Sequence, residues 1–492
     1  MKTKEYLDRQ SQTPYLDEYV SYLKSDPTPF DVPGHKLGFF ETDLDRKLSH
    51  DFSRFDANAP YGMDNLANPK TVIKQAEKLA AEAFNADHCL FSVNGTTGGI
   101  LTMFLSTLDT KDKVVLPRNV HKSVINSLIL SGAIPIFIDP DIDNDLGVAC
   151  GVSYNSVVKA LDENKDAKAI FLINPTYFGV CSDLKRITAE AHKRNVIVMV
   201  DEAHGSNFYF SNKLPISAMS AGCDISAVSL HKNSGSLTQT SLILVKGNRV
   251  NFNDVKKAFT MVTSTSPNSV LLASIDAARK EMAIRGNEIL NENLELAKYA
   301  REEINKIKGL HCYSREYINK GLDCGRFDID ETKLVIDVRG LDMFGYEAYK
   351  ELRKISNIQV ELGEVSVILA LIGPGTVRKD IDNLIEALNK LSELHYSQKK
   401  KRIPKYNYSF PTLAINPRDA FDSPYKTIKL KDSIGEISAE TIMIYPPGIP
   451  LVIPGERITK DVIRLIDFFH KEGGEVLKDT SIGKIKIVNI SL

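Results

Sequence analysis

The sequence predicts an α/β protein with a mostly parallel central sheet in a large domain and smaller α+β domains towards the carboxyl terminus. Three observations lead to that reading. Short β-branched apolar runs recur at 89–93, 114–116, 134–138, 169–173, 196–200, 225–229 and 241–245, with helix-length segments between most of them; this is the pattern of strands joined by covering helices. Several runs end in polar clusters, at the sheet edge where open α/β folds bind ligands. A chain of 492 residues is too long for one ordinary core. We therefore expect an amino-terminal arm over 1–60, a large domain over 61–310, a small α+β domain over 311–398 and a terminal domain over 399–492.

Composition narrows the function class. The chain is 43% hydrophobic and 25% charged, with a net charge of −1, so no field gathers nucleic acid or anionic lipid. Its six cysteines are scattered, without a C-x-x-C pair, which fits reduced thiols in a cytoplasmic protein and predicts no metal site. The amino terminus is polar and charged, unlike a signal peptide, and no apolar run approaches the roughly 20 residues of a membrane span.

In chain order, Pro29–Lys36 is too rich in Pro and Gly for regular structure. Asn68-Pro69 reads as a helix start, with Asn as cap, and Val72, Ile73, Ala76, Leu79, Ala80, Ala83 and Phe84 then follow helical spacing. Asn94-Gly95-Thr96-Thr97-Gly98-Gly99 lies between a strand and an apolar helix, where backbone N–H groups and hydroxyls can cradle a phosphate. His121 follows the strand at 114–116, and Thr176 follows the one at 169–173; both are candidate ligand neighbours. A long amphipathic helix closes at Gly309. Strands at 334–338 and 366–371 and a helix around 380–394 belong to the small domain. The basic run Lys399–Lys405 reads as a solvated linker on a neutral protein.

The organising pair is Asp201, leaving the strand at 196–200, and Lys232, leaving the strand at 225–229. Pyridoxal 5'-phosphate (PLP) chemistry uses such a pair. A Lys amine forms an imine with the cofactor aldehyde, and an Asp carboxylate keeps the pyridine nitrogen protonated. Ser229 and His231 can donate to the phosphate, and an imidazole at His121 can stack on the ring. Asp201-Glu202-Ala203-His204 also matches a helicase motif, but that reading requires a phosphate loop G-x-x-x-x-G-K-[ST], and the sequence contains none.

Together the motifs resemble the PLP-dependent ornithine/lysine/arginine decarboxylases of aspartate-aminotransferase fold (fold type I), and among them the short bacterial arginine enzymes that lack an amino-terminal wing. They are P-G-H-K at 33–36, N-G-T-T-G at 94–98, P-R-N-V-H-K-S at 117–123, N-P-T-Y-F-G-V at 174–180, V-D-E-A-H-G at 200–205, H-K-N-S-G-S-L-T-Q at 231–239 and Y-P-P-G-I-P at 445–450. The resemblance implies that Lys232 carries the cofactor, Asp201 pairs with its nitrogen, and His121 stacks on its ring. It places Thr96, Thr97, Gly98, Ser229 and His231 at the phosphate, with Thr176 and His204 beside the cofactor. It also implies a homodimer, or a dimer-based oligomer, with shared sites that Thr263–Ser266 can reach from a partner. Two positions depart from the family: Asn65 and Ala67 stand where relatives have Asp-Asp-Leu-His, and Asn233 stands where an apolar residue is common.

The expected activity is α-decarboxylation of a basic amino acid, arginine first, with lysine and ornithine as alternatives. An aminotransferase would need an Arg clamp for a second carboxylate. A non-catalytic paralogue would be expected to lack Lys232 or Asp201. Glu440, just before the stiff Tyr445–Pro450 stretch, is the candidate carboxylate for the substrate's guanidinium, which donates in a fork.

Overall fold

The computed structural model describes residues 3–403, 411–445 and 449–489. The chain forms two compact units, Met1–Thr107 with Met199–Glu292, and Leu108–Val198 with Asn293–Leu492.

In the first unit, the strands Ile197–Asp201 and Ile225–Ser229 are parallel, paired through Met199, Val200 and Asp201. Ser241–Val245 runs antiparallel to Ile225–Ser229 and to His88–Ser92 on its other side. The inversion has a simple cause. A parallel return needs a crossover of a dozen or more residues, usually a long helix, whereas Leu230–Thr240 holds only the short helix Leu230–Asn233. The helix Gly95–Thr107 lies against these strands because a Cβ on Gly99 would fall 2.8 Å from Ala227 Cβ. It begins at Gly95 rather than after Gly99, so Thr96, Thr97 and Gly98 occupy its first turn.

The helix expected from Asn68 starts at Val72. Asp64, not Asn68, serves its amino end: the Asp64 carboxylate accepts from the N–H groups of Lys70, Thr71 and Ile73 at 2.7–3.2 Å. Asp64 thus caps a helix, and the departing Asn65 and Ala67 do not. The arm before it is pinned by a fully buried ion pair, Arg279–Asp276. Arg279 donates to the carbonyls of Gln10 and Gln12, and Asp276 accepts from the N–H groups of Tyr15 and Leu16.

In the second unit, Ala167–Ile173, Lys113–Pro117 and Ile134–Ile138 form parallel ladders. A four-stranded antiparallel sheet, ordered His311–Cys312, Lys333–Asp337, Val367–Leu371, Leu362–Gly363, is covered by Ala297, Ala300 and Ile304 and by Ile381, Leu384, Leu388 and Leu391. The long helix runs over Ser269–Ile304, and the small-domain helix over Arg378–His395. A separate apolar core gathers Ile442, Leu451, Val452, Leu465, Ile466, Phe469, Ile485 and Ile487 of the terminal domain around Phe344 and Val365. Among the described residues no helix is long and apolar enough to cross a membrane. Pro404 and Lys405 of the basic run, and Pro446–Gly448, lie outside the described residues; Lys401 within the run rests over the Phe344 ring at 4.4 Å.

Candidate active site

A row of hydroxyls organises the first unit. Pairing sets Ser92 opposite Ser241, and Ser241 opposite Ser229, and such partners face the same side of the sheet. Thr96 joins the row from the helix above: its hydroxyl bonds to that of Ser229 and lies 3.3 Å from Ser241 Oγ. All four residues are buried. A Cβ on Gly98 would fall 2.9 Å from Asn94 Cβ, so only glycine allows this tight first turn. The Thr96 and Thr97 N–H groups have no intrahelical partners at a helix start. They lie at the positive end of a 13-residue helix.

Lys232 sits in the short helix that follows Ser229, with its Nζ 2.8 Å from His204 Nε2. His204 is itself held: its carbonyl accepts from Asn233 Nδ2 at 2.6 Å. Beside it, Ser234 Oγ donates to Ser206 Oγ at 2.8 Å. Asn233 is therefore no incidental change, because an apolar residue there leaves this carbonyl without its donor. His231 Nδ1 lies 3.0 Å from the Thr240 carbonyl. A carbonyl only accepts, so Nδ1 carries the hydrogen. Nε2 then donates only as imidazolium, a charge that suits a phosphate.

Asp201 ends its strand, buried, with Oδ1 accepting the Ala203 N–H at 3.0 Å. Its neighbour Glu202 turns into the core, where it accepts from the Ala218 N–H at 2.7 Å, Ser226 Oγ at 2.9 Å and the Tyr209 hydroxyl. Burial pushes the Glu202 carboxyl up to about 8. Two adjacent acids thus have opposite surroundings, a strand end for one and the core for the other.

In the second unit, His121 is the N-cap of the helix Lys122–Ser131: Nδ1 accepts the Ser123 N–H at 3.2 Å and lies 2.9 Å from Ser123 Oγ. Its ring is exposed and its orientation fixed. Thr176 is buried, with its N–H donating to the Val180 carbonyl and its Oγ1 accepting the Val180 N–H, which shapes the turn at 176–180. Glu440 is 2% exposed. Its carboxylate accepts from the N–H groups of Asp479, Thr480 and Lys486 and from Thr480 Oγ1, at 2.7–3.1 Å.

Residues 13–379 match the Orn/Lys/Arg decarboxylase major domain, and residues 400–474 match the C-terminal domain of the same family. The chain belongs to the Orn/Lys/Arg decarboxylase family. It is 42% identical over 475 residues to an arginine decarboxylase of Halalkalibacterium halodurans, covering 95% of each chain. It is also 42% identical to an arginine decarboxylase of Bacillus subtilis, covering 93% of each. The crystal structure of the Francisella novicida lysine decarboxylase superposes with a TM-score of 0.85 at 20% identity, covering 98% of this chain and 82% of that one. The fold is thus that of this decarboxylase family, as the motifs implied.

The first unit fits the family's cofactor, PLP: an amine on Lys232, an acid on Asp201, and hydroxyls gathered under a helix start for a phosphate. Ser241 was missed in the sequence because it opens its strand inside an apolar run. Only its register opposite Ser229 brings it to Thr96. Glu440 requires correction. Four donors from its own domain saturate the carboxylate, so it is a structural clamp on segment 479–486 and does not present a fork to a guanidinium.

Proposed function

We propose that this decarboxylase acts on L-arginine, releasing CO₂ and leaving agmatine. The observation that carries the reading is the 42% identity, over nearly the full length, to arginine decarboxylases; the likeness to the lysine decarboxylase of Francisella novicida is at 20%. Lysine and ornithine are the alternatives within the family.

Bound PLP would supply an electron sink for decarboxylation at Cα. The chain's own residues do the rest. Lys232 would hold the cofactor through Nζ. Asp201 keeps a proton at the pyridine nitrogen. Thr96, Thr97, Gly98, Ser229 and His231 would hold the phosphate, with Ser241 fixing the Thr96 hydroxyl from below. To His121, oriented by its cap, we assign ring stacking, and to Thr176 a place in cofactor binding. The 2.8 Å contact between Lys232 Nζ and His204 Nε2 lets a proton pass between them, so either can deliver it to Cα. Fixed dipoles and charges that fit developing charge better than the ground state give the rate.

The working form is a homodimer, or a larger assembly of dimers. The amino-terminal arm exposes Phe30, Phe39 and Phe40, at 93%, 79% and 68% of their full areas. Apolar residues so exposed in one segment are surface that a second copy buries. Thr263–Ser266 is the segment we assign to the partner's cofactor. All six cysteines are free, which suits the reducing cytoplasm. The substrate assignment is tested by CO₂ release from arginine, lysine and ornithine under identical conditions. Arginine should lead in kcat/KM by tenfold or more; preference for lysine or ornithine overturns it.

A further inference from the structure

Within the second unit, a cavity of about 330 Å³ opens between the small α+β domain and the terminal domain. That size falls in the ~300–1,000 Å³ range of small-molecule sites. None of the residues assigned above to cofactor or substrate lines it. Its wall combines two chemistries: the rings of Tyr177, Tyr346 and Tyr349, and the carboxylates of Glu361, Glu364 and Glu475. Lys350, exposed at the rim, is the one cation among the described lining residues.

Some of these groups are already committed. Tyr177 Oη donates to Glu361 Oε1 at 2.5 Å, and Gln359 Nε2 donates to Tyr349 Oη at 2.6 Å. Others are not. Among the described residues the buried Tyr346 hydroxyl has no hydrogen-bond partner. Among the described residues the Glu364 carboxyl forms no ion pair, and burial pushes it up to about 8. A buried polar group left without a partner calls for an explanation, and the Tyr346 hydroxyl beside this cavity is one. Three acidic side chains against one rim ammonium disfavour an anion. Aromatic faces beside a carboxylate, by contrast, attract a cation both through the ring quadrupole and through a charge-assisted hydrogen bond.

We propose that this cavity binds a small organic cation, a guanidinium or alkylammonium head on a short chain, with the head against Glu364 and the Tyr346 hydroxyl. A cation there favours the ionised carboxylate, so uptake near pH 7 releases a proton from Glu364. The other titratable groups facing it are Lys350, Glu361, Glu475 and the three tyrosines.

The test is calorimetric titration of the full-length holoenzyme, its cofactor fixed by borohydride reduction, with agmatine as the probe. Buffers of low and high ionisation enthalpy report any proton released. No turnover is read, so the outcome is independent of the substrate assignment. Saturable binding with proton release is expected, weakened tenfold or more by Glu364→Gln and a few-fold by Tyr346→Phe, with proton release lost in Glu364→Gln. If Glu364→Gln fails to fold, Glu475→Gln at the exposed edge should weaken binding about threefold. Absence of binding, or unchanged affinity in the folded carboxylate variant, overturns the proposal.

Discussion

Two polar clusters in this chain look alike in the sequence and differ in the structure. Lys232 and its neighbours follow an apolar strand in the first unit; Glu440 precedes one, Ile442–Tyr445, in the second. Glu440 is surrounded by four donors that occupy both carboxylate oxygens. Around Lys232 the supporting groups satisfy one another instead: Thr96 bonds Ser229, Asn233 bonds the His204 carbonyl, and His231 bonds Thr240. That frame positions the Lys232 amine against His204 Nε2. A polar residue beside a rigid motif is available for chemistry when its frame is closed by others, and structural when it closes the frame itself.

The largest effect should come from Lys232→Ala. Removing the amine should abolish CO₂ release while circular dichroism stays that of the parent; a variant turning over at the parental rate breaks the assignment. Asp201→Asn should still bind PLP but lose orders of magnitude in kcat, since the electron sink weakens while most binding contacts remain. An unchanged kcat would make Asp201 a fold residue like Glu202.

Glu440→Ala tests the other side of the comparison. Stranding four donors should cost on the order of 2–4 kcal/mol in unfolding free energy, with KM for arginine altered less than twofold in the folded fraction. A KM raised tenfold at parental stability would return Glu440 to the substrate.

A smaller, pH-dependent effect is expected at Glu202. The folded chain keeps its proton to about pH 8, whereas the unfolded chain releases it near 4.5. Between those values the folded state binds more protons, so this group makes stability fall as pH rises. Glu202→Gln removes that slope. The melting temperature of the variant relative to the parent should therefore rise from pH 5 to pH 8, and a flat difference would show that Glu202 is ionised in the fold.

Much of this was legible in the sequence. Strand periodicity and the spacing of polar strand ends located Asp201 and Lys232, because burial on both faces leaves a continuous apolar run and the site interrupts it. What escaped is what only pairing creates. Ser241 becomes a neighbour of Thr96 through register with Ser229. Asn233 gains its role from a carbonyl 29 residues earlier in the chain. Asp64 reaches forward over Asn68 to cap a helix. Glu440 was misread because nothing local reveals that donors 39 to 46 residues later enclose it.

The central claim, that the frame around Lys232 exists to hold a cofactor on its amine, is tested most directly by borohydride reduction of the purified holoenzyme followed by peptide mass spectrometry. The pyridoxyl mass should appear on the peptide containing Ser229-Leu230-His231-Lys232 and on no other. A reduced adduct on a different lysine, or none on Lys232, would contradict the account.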